Sequence, residues 1–197
     1  MSRQRKILDV AAELFHERGF HGVGIDEIGR RAGVSGPAVY RHFKGKDEIL
    51  ATVFDEAMDL VTVRPATRFA TPRDELDFLI RAHASFVVDH RALVSVFAHE
   101  HRFLVDPWRR LFTRRMRDHA AYWEETIARC YPDATPEAVT IGSQAAIGLL
   151  HSVVFWPAPA RAADDLVEWL YRLAIDGLDA LDSPAPVAVA PKRPSAA

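Results

Sequence analysis

Residues 33–46 read GVSGPAVYRHFKGK, and the reading of this stretch decides the fold. It is too short to hold a core, and it lacks the apolar alternation of a strand. Gly33 lets the backbone turn sharply. Ser35 stands where a hydroxyl caps a following helix, and Pro37 falls in that helix's first turn, where a missing N–H costs nothing. Val34 and Val39 are placed to lock two helices together from inside a corner. The small residues Gly36, Pro37 and Ala38 would let the helix end approach base edges. Tyr40 and His42 carry hydrogen-bonding tips, and Arg41, Lys44 and Lys46 supply cations for a phosphate backbone. Phe43 turns back to anchor the helix in a core.

The flanks support this reading. Residues 3–18 place Ile7, Ala11, Leu14 and Leu8, Ala12, Phe15 on one helical face, and Gly19 stops the helix. Residues 25–32 form a short second helix with Asp26 and Glu27 near its positive end. A third runs from 36 to about Phe43, and a longer one covers 46–62. Short helices joined by a glycine turn make a helix-turn-helix.

Beyond it, VRPATRFATPRDE (63–75) reads as a linker whose two prolines stop helices. Helices are expected at about 73–89, 91–104, 106–131, 136–156 and 161–181, and no strand signal is present. The expected fold is therefore all-α. A helix-turn-helix domain occupies 1–50, a ligand-binding and dimerisation domain 51–182, and a Pro/Ala-rich tail of disordered composition 183–197.

Composition sets the outer bounds. The 197 residues are 49% hydrophobic and 26% charged, enough to bury a core. The net charge of −2 hides an asymmetry: residues 1–50 carry nine Lys/Arg against seven Asp/Glu, and the remainder is acidic. A basic end on an acidic body suits a polyanionic partner. No apolar run is read as long enough to cross a bilayer, so no membrane is expected. The N-terminus reads as a helix, not a secretion signal. A lone Cys130 gives no disulfide and no sign of an oxidising compartment, so a cytoplasmic location is expected.

The run RKILDVAAELFHERGFHGVGIDEIGRRAGVSGPAVYRHFKGKDEIL, within residues 5–55, resembles the N-terminal DNA-binding domain of the TetR/AcrR family of bacterial transcriptional regulators. The resemblance implies that helix 25–32 rests on the DNA backbone and helix 36–42 enters the major groove. Tyr40 and Lys46 would grip phosphates, Arg41 and His42 would be recognition positions, and Gly36, Pro37 and Ala38 would face the bases. One departure is the run Gly22-Val23-Gly24-Ile25, which lacks the hydroxyl many members carry before the second helix. A backbone N–H would make that contact instead. The family further implies an all-helical body that dimerises, binds a small molecule and needs no cofactor.

In the body, helix 136–156 is lined with small residues, among them Gly142, Ala145 and Ala146, followed by Leu149 and Val153. Helix 161–181 carries Leu170, Leu173 and Gly177 on one side and further apolar residues on another, wider than one core stripe. A four-helix homodimer interface follows, which would set two recognition helices about 34–36 Å apart for successive major grooves of a double-stranded operator. Helices 73–131 place His83, Phe86, Phe97, Glu100, His101, Arg115, His119, Tyr122 and Trp123 on largely apolar faces. Either the polar groups pair within the core, or the faces enclose a cavity and the groups address a hydrophobic effector. The expected effector is a fatty-acyl or other long apolar metabolite, with an acidic head near Arg115 or His119. His99-Glu100-His101 fits no common zinc spacing, so no metal is expected. The function expected is a repressor released by its ligand, with an activator or a ligand-free binder as alternatives. An enzyme would need a nucleophile motif, cofactor loop or metal spacing, and none is present.

Overall fold

The computed structural model describes residues 2–62 and 68–182. The proposed tail at 183–197 and most of the linker's N-terminal half, 63–67, lie outside the described residues. All regular structure within them is helical. The α-helices are α1 (Arg3–Arg18), α2 (Ile25–Ala32), α3 (Gly36–Tyr40), α4 (Lys46–Val61), α5 (Pro72–Asp89), α6 (Arg91–Glu100), α7 (Trp108–Cys130), α8 (Pro136–Ser152), α9 (Ala158–Arg161) and α10 (Leu166–Asp179).

Local chemistry sets most of these limits. The Ser2 hydroxyl accepts the Arg5 N–H at 3.2 Å to open α1. Gly33, left-handed at φ 73°, closes α2 with its N–H on α2 carbonyls. At α5, Thr71 and Asp74 form a reciprocal capping box, and Pro72 takes a first-turn position. The second proline of the expected linker therefore starts a helix instead of stopping one. Thr135 caps α8 through the Ala138 N–H at 3.2 Å, with Pro136 following.

Two expected boundaries shift. The helix of the opening stretch ends at Tyr40, so Arg41 and His42 sit in the turn after it. The Ser35 hydroxyl makes no capping bond, although its backbone takes the extended N-cap conformation. The expected helix 161–181 is split: Pro157 and Pro159 start the single turn α9, and α10 begins only at Leu166. A further correction concerns Pro136–Phe155. These 20 residues contain an 18-residue window of mean hydropathy 1.5, long and apolar enough by length and composition to span a bilayer. Scattered Thr140, Ser143, Gln144 and His151 mask that run on inspection. In this fold the segment packs against α7 and α10.

Two apolar clusters form. The first unites Ile7, Leu8, Leu14, Phe15, Ile28, Val39, Phe43, Ile49, Leu50, Val53 and Phe54 with Val96 and Leu104 from the body. The second joins Met58, Val61, Leu76, Ile80, Val87, Trp123, Ile127, Leu150, Leu170 and Leu178. The module docks on the body where α1 meets α6. There the buried Glu100 carboxylate accepts the Phe20 N–H at 3.2 Å.

The α2–α3 corner depends on Gly29. A Cβ there would stand 3.0 Å from the Val34 carbonyl oxygen, 3.2 Å from Val39 Cγ2 and 3.3 Å from the Gly36 nitrogen. Gly29→Val is therefore expected to destabilise the protein by about 1–3 kcal/mol through overpacking, and to lower DNA affinity by tilting α3. Denaturant unfolding and DNA titration measure the two effects.

Candidate nucleic-acid interface and effector cavity

The face presented by α3 is built from exposed Ser35, Pro37, Tyr40, Arg41, His42 and Lys44, with Gly36 and Ala38 half-buried. Tyr40 is 57% exposed, a large aromatic with no core role. Two arginines of the neighbouring helices are committed internally. Arg31 makes a two-armed bridge to Glu17 at 2.8 and 3.0 Å, and Arg18 pairs with Glu27. Arg41 and Lys44 form no ion pair among the described residues, so their charges are available to a polyanion. Lys46 differs from expectation. Its ammonium donates to the Phe20 and Val23 carbonyls at 2.7 and 2.9 Å and lies 4.4 Å from the Phe20 ring centroid. Both carbonyls lie in the α1–α2 loop, and Lys46 gives two of its three N–H donors to them. Gly36 also has a packing reason: a Cβ there would fall 2.0 Å from Asp26 Oδ1.

A cavity of about 90 Å³ lies between α4, α5, α6, α7 and α8. Phe54, Ala57, Met58 and Val61 of α4 form one wall. Phe112, Met116, His119 and Ala120 of α7 form another, and His83, Phe86, Leu93, Val94, Phe97, Gln144, Ile147 and His151 complete it. Of the residues expected to bind a ligand, His83, Phe86, Phe97 and His119 come together here. The rest do not. Glu100 faces the DNA-binding module. His101 is exposed and donates from Nδ1 to the Phe97 carbonyl at 2.9 Å. Arg115 binds Asp55 and Asp59, tying α7 to α4 outside the cavity. Tyr122 donates to Glu75 at 2.7 Å. Trp123 is fully buried behind the cavity, edge-on to His83. Sequence periodicity missed His151, Gln144 and Ile147 because α8 was read as an interface helix. It missed the α4 wall because those residues read as ordinary core.

Three histidines form one end of the cavity. The Nε2 atoms of His83 and His151 are 2.9 Å apart, and the His83 and His119 ring centroids are 5.4 Å apart. Burial, with the neighbouring imidazoles, holds His83 well below the usual imidazole range. Burial and His151 push His119 down to about 4, and burial does the same to His151. Among the described residues no group of three or more His, Cys, Asp or Glu is placed to hold a metal ion. Burial raises the half-buried Cys130 thiol above its ordinary pKa, which keeps it protonated.

On the far side of the body, Gly142, Ala145, Ala146 and Leu149 of α8 share a groove with Leu173, Ala174, Gly177 and Leu178 of α10. Val153 and Leu170, expected at the same face, are fully buried within the chain, because they fill the space between the helices. The large outward apolar residues are instead Ile141, Phe155, Trp169 and Leu173, exposed by 68%, 64%, 56% and 49%.

Comparison with known proteins decides the family. Residues 7–53 match the family model "Bacterial regulatory proteins, tetR family", and residues 70–178 match "Tetracyclin repressor-like, C-terminal domain". The chain belongs to the TetR family of transcriptional regulators. Among curated relatives, it is 36% identical over 108 residues to the HTH-type transcriptional activator FasR of Mycolicibacterium smegmatis, covering 53% of this chain and 49% of that protein. It is 31% identical over 93 residues to the Fatty acid metabolism regulator protein of Bacillus subtilis, covering 45% and 48%. The chain thus spans about half the length of these relatives. Among solved structures it resembles a TetR-family protein from Rhodococcus RHA1 (TM-score 0.77, 21% identity, 92% of this chain and 97% of that one). AibR in complex with isovaleryl coenzyme A and operator DNA gives a TM-score of 0.73 at 22% identity over 91% and 97%. At these identities the solved structures establish the fold. The relatives are regulators and not enzymes.

The neutral histidines carry a pH signature. Below the unfolded imidazole value of about 6.5 the unfolded chain takes up protons that the folded chain refuses until about 4. Stability is therefore complete above about pH 6.5 and falls as pH drops to about 4, by about 3 kcal/mol for each of His119 and His151. Urea unfolding across this range checks the slope, and His119→Leu should flatten it.

Proposed function

We propose that the protein is a homodimeric, ligand-responsive DNA-binding regulator of the cytoplasm. In this reading it is a repressor that leaves its operator when a small hydrophobic molecule fills the cavity. The single observation that carries the proposal is the shared wall: α4 both lines the cavity with Phe54, Ala57, Met58 and Val61 and packs the module that presents α3. A guest pressing on that wall couples directly to the DNA-binding face. Its effect is bounded by its differential affinity for the two arrangements.

Several observations support the parts. Exposed Tyr40, Arg41, His42 and Lys44 suit phosphate and base contacts. Exposed Ile141, Phe155, Trp169 and Leu173, with open space above Gly148 and Gly177, suit close helix packing against a second copy. The lining is almost wholly apolar, and the B. subtilis relative is named for fatty acid metabolism. An effector of the acyl class fits both. At about 90 Å³ the cavity takes a short chain as it stands, and a long one only if α4 moves off α7.

The test is operator capture by the full chain from fragmented genomic DNA, followed by titration with acyl compounds of increasing length. Retained fragments released by one length class support the reading. Failure to retain any fragment at low ionic strength removes it, and retention indifferent to every compound removes its ligand half. On the captured operator, Arg41→Ala and Lys44→Ala should each reduce the log–log salt slope by about one unit. Leu173→Glu should yield monomers by sedimentation, with operator affinity reduced at least about tenfold as the paired half-sites are lost.

A further inference from the structure

An apolar cavity would be expected to end on apolar side chains, yet this one ends on imidazoles. His83 is 1% exposed and His119 4% exposed, and both line the cavity. His83 Nδ1 and both ring nitrogens of His119 lack a hydrogen-bond partner among the described residues. The His83–His151 contact joins Nε2 to Nε2, so one ring donates and the other accepts. His119 is in neither role. Whatever its tautomer, a neutral His119 offers one free N–H and one free lone pair. Buried groups of this kind call for a partner.

The same wall limits what that partner can be. Among the described residues no Arg, Lys, Asp or Glu lines the cavity. Arg115, the nearest arginine on α7, is bound to Asp55 and Asp59 outside it. A carboxylate guest would need an imidazolium counter-ion. Burial pushes His119 down to about 4, so it is neutral in the empty cavity, and a carboxylate could bind only if the guest were desolvated and the ring protonated together. A purely hydrocarbon guest would leave the ring nitrogens unpartnered. We propose that His83, His119 and His151 form the polar end of the cavity and receive the neutral oxygen function, a carbonyl or a hydroxyl, of a small apolar guest. The inference rests on reading the cavity as the effector site. It replaces the free acid head expected from the sequence with an uncharged one, as in a ketone, alcohol, ester or thioester. The part of the guest enclosed is no larger than about a benzene ring, which occupies cavities of about 150 Å³.

Three probes of equal heavy-atom count separate the chemistries: 3-methylbutan-2-one, its hydrocarbon isostere 2,3-dimethylbut-1-ene, and isobutyrate. Each is titrated into the full-length protein while the histidine imidazole ¹H–¹⁵N signals report cavity occupancy. The ketone is expected to bind about tenfold more tightly than either analogue, a difference of about 1.4 kcal/mol. His119→Leu should abolish that advantage while keeping alkene binding, and His119→Gln should retain part of it. Equal binding of ketone and alkene, or tightest binding by isobutyrate, overturns the inference and leaves the cavity reading standing. No shift of the cavity signals with any probe removes both. The ranking in the unaltered protein is decisive by itself, so a poorly folding variant would not protect the proposal.

Discussion

The side chains of α4 are divided between two cores. Ile49, Leu50 and Val53 belong to the module's cluster, Met58 and Val61 to the body's, and Phe54 between them meets Phe97 and Phe112. A helix of 16 residues is about 24 Å long. Because interiors are close-packed, α4 cannot shift at one end without being felt at the other. A tilt of ten degrees about one end displaces the other by about 4 Å. In the proposed dimer, that would be a large error for a recognition helix matching a groove spacing of about 34 Å. The module is also pinned a second time, where α1 rests on α6 and Glu100 holds the Phe20 N–H. Movement of the DNA-binding face is thus channelled through two contacts.

These contacts differ in kind. Beside the α1–α6 contact, the buried hydrogen bond from the Phe20 N–H, in the loop after α1, to Glu100 lies within an apolar cluster and is costly to break once formed. The polar tie between α4 and α7, Arg115 with Asp55 and Asp59, lies at the surface, with aspartates 64% and 69% exposed. An exposed pair of this sort contributes about 0–1 kcal/mol. Where α4 borders the cavity, it is therefore held mostly by apolar contact around a space already incompletely filled.

The sequence revealed the DNA-binding module almost fully, and physics explains why. α1 and α2 end on Gly19 and Gly33, whose positive φ glycine alone takes readily, and the fold follows from local signals such as Gly33, Pro37 and the buried Phe43. The carbonyl contacts of Lys46 were not legible, because only the fold brings Phe20 and Val23 within its reach. In the body the periodicity located the helices but not their neighbours. His83 and His119 were visible as polar groups on apolar faces. His151 was not, because helix α8 shows one face to the cavity and another to the α10 groove, and a single sequence does not say which neighbour each face meets. Glu100 and Arg115 were anomalous for the same reason as the histidines, yet each found its partner on a different module or helix.

The histidine cluster bears on stability and on response together. Each buried imidazole nitrogen without a partner costs about 1–3 kcal/mol in the empty protein, a sizeable part of the about 5–15 kcal/mol by which a domain is stable. Aliphatic residues at 83, 119 and 151 would pack the cavity end without that cost. The cost falls on residues that line the cavity, and it would be relieved only when a guest supplied the missing hydrogen bonds. Relief available in one state and not the other is differential affinity, the quantity that limits any ligand-driven shift. The same nitrogens that weaken the empty fold are thus what would let a small guest, with little area to bury, bias the position of α4.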